Sequence, residues 1–492
     1  MQREKVAPMK QVLLYAIINY AGTALGIISV LFIYPLNLKF LGTVRYVDNI
    51  AQLLYPIMVL GASQALIKFY PSLQEQGKKQ LFNYSLISVI VLSALIFLGV
   101  FIYSINFNDH NSDLLYFAFP IAVSMAYIEL FKKQAQDLQK IAVPTLYEKI
   151  FPKIALPVIF LLLLRNVFTE DSALLGYAIS YVVIFILTGI YLFRYFNPGF
   201  NYRFKTLFGE ISRKDYFRYS LYSFAGSLGS LLAFRIDGIV IYNLISEEAN
   251  GIFSTAVTLA STLQIPAIGM FALYAPIISN YLKVENFKDL DIKYKEIARL
   301  LFFIGALLYS CIFLGIEDLF HLLPAYEKLK SSIPIILVLG FSVLINMATG
   351  FNGEIITYSK FYRFNLVAIL VLIIINVSLN LYFIYYTSFG IMGVAYASFI
   401  AMTLFNISKL LFIYKKFGLL PFDKSFAKMA LLFLLSGIAI FFLPNVQSHL
   451  VNLVYKTGLS LTINCLVVYK LRLVYQVSVW VDKAKGYLFR GK

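Results

Sequence analysis

The chain has 492 residues, of which 60% are hydrophobic and only 14% are charged, and its mean hydropathy is +0.78. A water-soluble chain of this length does not carry so much apolar surface, so the composition excludes a soluble globular protein and predicts an integral membrane protein. The formal net charge of +17 would suit a nucleic-acid partner. Its distribution along the chain, described below, argues against that partner.

Fourteen apolar segments predict fourteen membrane spans. A helix needs about 20 apolar residues to cross the hydrocarbon core of a bilayer. The segment at 154–164 is the shortest and has a polar approach that starts at Pro144. The sequence therefore predicts an all-α integral membrane protein with spans near 11–34, 47–70, 81–105, 114–131, 154–164, 173–193, 219–243, 250–282, 300–316, 332–353, 364–386, 391–414, 429–444 and 453–471.

The basic residues alternate between the two sides of this predicted topology. With the N-terminus in the cytoplasm, 35 of the 42 Lys and Arg residues fall on the cytoplasmic side. Such a bias is typical of cytoplasmic loops and predicts that both termini are cytoplasmic, in a cytoplasmic (inner) membrane. The positive charge thus reports topology and attraction to membrane lipids, and no nucleic acid is expected as a partner.

An internal repeat relates the two halves of the chain. Tyr15–Gly22 at the start of span one resembles Tyr219–Gly226 at the start of span seven, and prolines follow at matching positions. Six spans separate the copies, so both copies enter the membrane from the same side, as in transporters with parallel repeats. We expect an N-lobe at 1–205, a C-lobe at 206–420, and spans thirteen and fourteen with a basic tail at 421–492.

Three stretches carry a resemblance to a known superfamily. They are Leu41-Gly42 followed by Tyr46, the span-two ending Leu60–Pro71, and Arg235 to Asp237 followed by Gly251–Ala256. With the arrangement of six, six and two spans, they resemble the polysaccharide-exporter branch of the multidrug/oligosaccharidyl-lipid/polysaccharide flippase superfamily. The resemblance implies two six-helix lobes and a flippase of the O-antigen type, which serves lipopolysaccharide or another cell-surface polysaccharide.

The resemblance also has gaps that bear on the substrate. Span one has no acidic residue, although cation-coupled drug exporters of the superfamily often carry one there. The fuller basic constellation expected of lipid II flippases has no match either. The first departure disfavours drug efflux, and the second leaves the identity of the glycan open.

Four basic residues are candidates for binding an anionic headgroup. A charge inside the hydrocarbon is costly and usually faces an aqueous cavity. Arg235 lies deep in span seven, Lys68 ends span two, and Lys149 and Lys153 lie at the entry to span five. The guanidinium fork of Arg235 suits a diphosphate. The alternatives are a structural tie between helices for Arg235 and snorkelling to phospholipid for the lysines, which we also expect of Lys132 and Lys133.

Three carboxylates, Asp237, Glu129 and Glu354, are candidates either for coupling transport to protons or for structural ion pairs. Glu129 has Lys132 and Lys133 one helical turn away, which favours pairing.

Signatures of enzymes and cofactors are missing from the sequence. There is no phosphate-binding Gly-x-x-x-x-Gly-Lys loop, and His110, His321 and His449 lie on separate segments without ligand spacing. Cys311 and Cys465 form no CxxC motif and are interpreted as packing residues. We therefore expect no catalytic residues, metal or cofactor. The expected partners are a lipid-linked oligosaccharide, membrane lipids and proteins of polysaccharide polymerisation or assembly.

The sequence favours a flippase for a polyprenyl-diphosphate-linked oligosaccharide. The first alternative is a cation-coupled small-molecule exporter of the multidrug type. A membrane-embedded enzyme of sugar polymerisation or sugar transfer ranks lower because catalytic motifs are missing, and a non-catalytic assembly scaffold stays open.

Overall fold

The computed structural model describes residues 9–107, 110–200 and 203–489, and within these ranges the chain forms helices and no strands. Short 3-10 helices lie at Tyr34–Asn37, Tyr70–Ser72, Thr262–Gln264 and Lys330–Ser332. The α-helices are α1 (Met9–Phe32), α2 (Leu38–Val59), α3 (Ala62–Phe69), α4 (Glu75–Asn106), α5 (His110–Asp137), α6 (Ala142–Leu164), α7 (Glu170–Phe193), α8 (Leu207–Glu210), α9 (Arg213–Leu244), α10 (Glu247–Ser261), α11 (Ile265–Lys283), α12 (Phe287–His321), α13 (Tyr326–Leu329), α14 (Ile333–Ala348), α15 (Asn352–Tyr358), α16 (Arg363–Tyr386), α17 (Ile391–Phe417), α18 (Lys424–Phe441), α19 (His449–Lys470) and α20 (Tyr475–Phe489).

The all-α membrane fold is confirmed, but the number of fourteen spans is not. Among the described residues, ten helical segments are long and apolar enough to cross a membrane, or eleven if a bent pair counts as one span. That pair, Ala21–Phe32 and Tyr34–Val59, bends by 46°. Helices α6 and α9, where spans five and seven were predicted, are not among the ten. Helix α6 contains Glu148, Lys149 and Lys153 and α9 contains Arg235 and Asp237, so neither is apolar throughout.

The chain divides into two compact units, one ending at Gly251 and the other beginning at Ile252. In the first unit, α5 packs against α2 and α7, α6 packs against α1 and α7, and α2 packs against α9. The three-part division expected from the sequence, at 205/206 and 420/421, stays a prediction.

Local sequence sets the bounds of the helices that carry the charged residues. The Asn37 side chain accepts a hydrogen bond from the Phe40 backbone N–H at 3.0 Å and begins α2. Leu60 and Gly61 both have positive φ, 44° and 75°, which ends α2 and starts α3 in a new direction. A methyl group added at Gly61 would overlap the Ser220 carbonyl oxygen, so only glycine fits there. Span two is therefore a broken helix.

The second unit contains a buried polar stripe along α19. Its residues recur every fourth position and face α12 and α18. Ser460 and Ser310 lie 2.9 Å apart through their hydroxyls, and the Ser436 hydroxyl donates to Asn464 at 2.9 Å. At one end, Asp318 accepts hydrogen bonds within the same stripe. The stripe residues of α19, all less than 10% exposed, are Asn452, Lys456, Ser460 and Asn464.

Asp318→Ala should destabilise the protein measurably. The carboxylate accepts from Asn452 Nδ2 at 2.6 Å and lies 2.7 Å from His449 Nδ1, and its loss removes this acceptor from the buried Asn452 amide. Hydrogen bonds to charged groups are worth about 1.5–3 kcal/mol. Thermal unfolding in detergent should show the loss, whereas the matched change Asp291→Ala, which breaks a half-exposed ion pair with Lys295, should cost about 1 kcal/mol or less. Equal effects would show that the stripe does not stabilise the unit.

Candidate functional site

Helix α6 presents two lysines toward α1 in the first unit. A methyl group added at Gly22 would lie 3.0 Å from the Lys149 carbonyl oxygen, and one added at Gly26 would lie 3.7 Å from Lys153 Nζ. The glycines of α1 therefore allow α6 to approach and leave the space in which the Lys153 ammonium lies.

Lys153 is surrounded by positive charge. It is half-buried, and among the described residues no carboxylate lies within 4 Å of its ammonium. Its electrostatic neighbours are Lys149 and Arg45, both cations. Like charges this close in a membrane-embedded segment raise the free energy unless an anion neutralises them. The arrangement is therefore suited to binding an anion.

A buried polar network on α2 and α7 lies near Arg45. Asp48, 4% exposed, accepts hydrogen bonds from Gln52 Nε2 at 2.7 Å and from the Tyr177 hydroxyl at 3.3 Å. The hydroxyls of Tyr177 and Tyr181 lie 3.3 Å apart. Arg45 lies within electrostatic range of all three ionisable groups, yet its Nε has no hydrogen-bond partner among the described residues. The guanidinium of Arg45 therefore adds a positive charge beside this network, and a guanidinium suits an oxyanion as a partner.

A chain of ion pairs continues from α6 to α5. Glu148 lies 2.6 Å from Lys132 Nζ and 3.4 Å from Lys149 Nζ. Glu129 lies 3.6 Å from Lys132 and 3.5 Å from Lys133. Lys132 and Lys133 thus contact carboxylates, which differs from the snorkelling to lipid expected of them. The pairing expected of Glu129 is present.

Arg235 and Asp237 lie in the second half of α9, beside α2. Arg235 Nη1 donates to Asn49 Oδ1 at 3.4 Å, and no carboxylate among the described residues forms an ion pair with it. Asp237 is 7% exposed. A methyl group added at the neighbouring Gly238 would overlap the Asn49 amide and lie 3.1 Å from Asn250 Oδ1. Arg235 is thus the cation that α9 contributes to the first unit's polar network.

We use the name cation cluster for Arg45, Lys132, Lys133, Lys149, Lys153 and Arg235. Four carboxylates accompany these six cations, namely Asp48, Glu129, Glu148 and Asp237. The surplus is positive. Three of the six cations, Arg45, Lys153 and Arg235, have no carboxylate within 4 Å among the described residues, and two of these, Lys153 and Arg235, were predicted from the sequence.

Two glycines bring α2 and the start of α10 into backbone contact. A methyl group at Gly42 would overlap the Glu247 carbonyl oxygen, and one at Gly251 would overlap the Leu38 carbonyl oxygen. Lys39 and Glu247 form an ion pair at 3.4 Å beside this contact. We call it the glycine contact, and no residue with a side chain fits at either position without moving the helices apart.

A small pocket, the Tyr55 pocket, lies at the break between α2 and α3. It is lined by residues of α2, α3, α5 and α9. Tyr55 is within electrostatic range of Glu129, Lys132, Glu148 and Arg235, so the pocket adjoins the cation cluster. The polar and aromatic residues of its lining are Tyr55, Ser63, Gln64, Glu129, Phe224 and Ser227.

Two further predicted site residues, Lys68 and Glu354, are described by their own neighbours. Lys68 is exposed, and its ammonium lies 3.9 Å from the centroid of the Tyr219 ring. Glu354 belongs to the second unit, near Lys409, which is 7% exposed and stacks its ammonium 3.9 Å from the Phe405 ring centroid. The roles proposed for Lys68 and Glu354 stay predictions.

Histidines that are far apart in sequence meet in the second unit. The His321 and His449 rings stack with centroids 4.1 Å apart. His321 and His449 therefore lie on separate segments, as expected, but their side chains are in contact. The His110 side chain lies outside the described residues. Among the described residues, no group of three or more His, Cys, Asp or Glu is arranged to hold a metal ion.

Comparisons with known proteins agree with this fold. The profile of the family described as "Polysaccharide biosynthesis protein" matches residues 9–282. No curated protein matches the chain. The lipid II flippase MurJ in an inward closed conformation superimposes with a TM-score of 0.71, at 16% identity over 93% of this chain and 99% of that one.

Two further solved structures share the fold at a similarly low sequence identity. An inward-facing multidrug resistance transporter of the MATE family has a TM-score of 0.62 at 15% identity, covering 82% of this chain and 98% of the transporter. A transporter of the same superfamily from Pyrococcus furiosus has a TM-score of 0.52 at 14% identity, covering 83% and 92%. The multidrug/oligosaccharidyl-lipid/polysaccharide fold expected from the sequence is confirmed. The family and these neighbours are those of transporters and flippases rather than enzymes.

Proposed function

The chain belongs to the polysaccharide biosynthesis protein family, and from that premise we propose that it is a flippase for a lipid-linked oligosaccharide. The substrate is a polyprenyl-diphosphate-linked oligosaccharide, which moves from the cytoplasmic to the outer face of the cytoplasmic membrane for O-antigen or related surface-polysaccharide synthesis. The observation that carries the proposal is Lys153, a half-buried cation whose electrostatic neighbours, Lys149 and Arg45, are also cations.

A diphosphate suits the cation cluster better than a neutral or cationic solute does. The ammonium of Lys153 supplies a point charge, and the unused Arg45 donor supplies a directed hydrogen bond. Arg235 adds a second guanidinium, while Asp48 and Glu148 hold the surrounding side chains in place. The lipid tail stays in the bilayer while the headgroup occupies this polar environment.

The membrane potential assists outward movement of the headgroup. The alternation of basic residues favours a topology with both termini and most Lys and Arg residues in the cytoplasm. Moving one elementary charge across 100 mV changes its energy by about 2.3 kcal/mol. When an anion leaves an inside-negative cell, its free energy falls by this amount for each charge. No coupling ion is needed for this contribution. Asp237, Glu129 and Glu354 would serve as coupling carboxylates only if transport also depended on protons.

The glycine contact would close the outer side of the transport path. In the predicted topology Lys39 and Glu247 lie at the outer ends of α2 and α10, where their backbones touch. Alternating access requires this contact to form and break. Small residues suit such a gate, because backbone contact forms without interlocking side chains.

The alternative function is a cation-coupled exporter of small molecules. The structural likeness to a multidrug transporter favours it. The positive surplus of the cation cluster disfavours it, because lipophilic cationic drugs would be repelled.

Deletion of the gene tests the proposal in the cell. We expect the lipid-linked oligosaccharide to accumulate on the cytoplasmic face of the membrane and to clear when the gene is restored. Normal surface glycan with new sensitivity to toxic cationic compounds would refute the flippase and favour the exporter. Intermediate that accumulates unpolymerised on the outer face would point instead to an enzyme or an assembly partner.

A further inference from the structure

We propose that α20 lies in the headgroup layer of the cytoplasmic leaflet and binds anionic phospholipids. The binding surface consists of the exposed rings of Tyr475 and Trp480 and of the basic residues that flank the helix. Such a surface concerns the lipids that surround the protein, so it is separate from the binding of a transported substrate.

One face of α20 is bound to the second unit. Val474 and Val477 are less than 10% exposed and belong to an apolar cluster that also contains residues of α12 and α18. Val481 packs partly buried against the same cluster, which completes a helical spacing of three and four residues. The Gln476 amide donates a hydrogen bond to Glu296 Oε1 of α12 at 2.8 Å. These contacts fix α20 on the second unit.

The same contacts set the level of α20 relative to the spans. The apolar cluster includes Leu300, the residue at which span nine was predicted to begin, and Glu296 lies one turn before it. Arg472 has a positive φ of 48°, which ends α19 and turns the chain before α20 begins. In the predicted topology this level is the cytoplasmic boundary of the hydrocarbon core.

The large apolar side chains that α20 leaves uncovered, among those described, are aromatic. Tyr475 is 65% exposed and Trp480 is 58% exposed. Trp and Tyr are enriched where a membrane meets water, because the ring contacts acyl chains while the N–H or O–H reaches polar headgroups. An amphipathic helix with such rings and basic residues is typical of helices that lie in the membrane surface.

The charge around α20 favours anionic lipid over neutral lipid. Lys470 and Arg472 are exposed, and the Asp482 carboxylate accepts a hydrogen bond from the Tyr469 hydroxyl at 2.7 Å. Clusters of four to eight basic residues beside a membrane helix attract anionic headgroups. The segment 470–492 has one acidic residue, Asp482, and six basic residues, namely Lys470, Arg472, Lys483, Lys485, Arg490 and Lys492.

The single tryptophan of the chain makes this surface directly measurable. Because Trp480 is the only Trp among the 492 residues, its fluorescence reports the lipids next to α20. The purified full-length protein is placed in nanodiscs of phosphatidylcholine and phosphatidylglycerol in equal amounts, with bromine as a quencher on one of the two lipids. We expect brominated phosphatidylglycerol to quench Trp480 roughly twofold to fivefold more than brominated phosphatidylcholine does.

Two changes should remove this preference. Lys470→Gln combined with Arg472→Gln should reduce it to about half or less, because exposed positive charge is lost beside the ring. High salt should reduce it in the unmodified protein, which covers the case in which the double variant fails to fold. The matched control is Lys415→Gln combined with Lys416→Gln at exposed positions of α17, which should keep the preference.

The remaining outcomes would overturn the proposal. Equal quenching by the two lipids would show that Trp480 contacts the membrane without selecting anionic lipid. The absence of quenching by either lipid would show that α20 does not lie in the headgroup layer. A preference that is unchanged both in the Lys470 and Arg472 double variant and at high salt would exclude the basic residues as its cause.

Discussion

Lys153→Gln should slow translocation of the lipid-linked oligosaccharide by about tenfold to a hundredfold. The substitution keeps a polar side chain, shorter by one atom, and removes the one charge of α6 that has no carboxylate within 4 Å among the described residues. A hydrogen bond to a charged group is worth about 1.5–3 kcal/mol, and about 1.4 kcal/mol corresponds to a factor of ten. The rate is measured as recovery of surface glycan in the deletion strain at matched levels of inserted protein.

The matched control for this prediction is Lys79→Gln. Lys79 is an exposed lysine at the start of α4 that the cation cluster does not include. It should transport at the wild-type rate. Wild-type transport by Lys153→Gln would remove Lys153 from the binding site, and an equal loss in both variants would indicate a general effect of positive charge on topology.

Gly42→Ala should abolish most transport although the protein still inserts into the membrane. The added methyl group would overlap the Glu247 carbonyl oxygen and force α2 and α10 apart. Overpacking of this kind costs about 1–3 kcal/mol, which shifts an equilibrium between closed and open states by roughly 5- to 150-fold. Labelling of an engineered cysteine near Lys39 by an impermeant reagent from outside should become correspondingly faster.

Two further variants test whether the effect comes from the glycine contact. Gly251→Ala should have the same effect, because its methyl group would overlap the Leu38 carbonyl oxygen on the other side of the contact. Gly99→Ala should be silent, since nothing lies within 4 Å of a methyl group added there. Normal transport by both the Gly42 and Gly251 variants would show that the glycine contact is not a gate.

The general fold was predictable because hydrophobic segments of span length and alternating loop charge act locally along the chain. The exact spans were less predictable where charge enters the helices. Glu148, Lys149 and Lys153 interrupt the apolar character of α6, and the structure uses them in ion pairs and in the cation cluster. Tertiary contacts stabilise such a helix where its composition alone does not predict it.

Arg45 and Asp48 show what sequence reasoning missed. Span two was predicted to begin at residue 47, which leaves Arg45 outside the predicted spans, and neither Arg45 nor Asp48 was predicted as a site residue. Capped by Asn37, α2 begins at Leu38, nine residues before the predicted start of span two, and it contains both Arg45 and Asp48. An Asn at a helix start was a visible signal for this earlier boundary.

Long-range pairs left no signal in one sequence. Lys132 and Glu148 lie on different helices, and the His321–His449 stack joins α12 to α19. Helical periodicity relates residues three or four positions apart and says nothing about which helices pack together. Arg235 could be selected because a cation deep inside an apolar segment is unusual, and Lys153 because it lies with Lys149 at the entry to a predicted span.

Reconstitution measures flipping by the protein alone. The purified protein is placed in liposomes with a fluorescent polyprenyl-diphosphate-linked oligosaccharide, and an impermeant enzyme or quencher reports how much lies on each face over time. We expect rapid exchange with the wild type, exchange about tenfold to a hundredfold slower with Lys153→Gln, and wild-type exchange with Lys79→Gln. Liposomes containing the wild type that exchange the lipid no faster than empty liposomes, while transporting a small cationic compound, would contradict the flippase and identify an exporter.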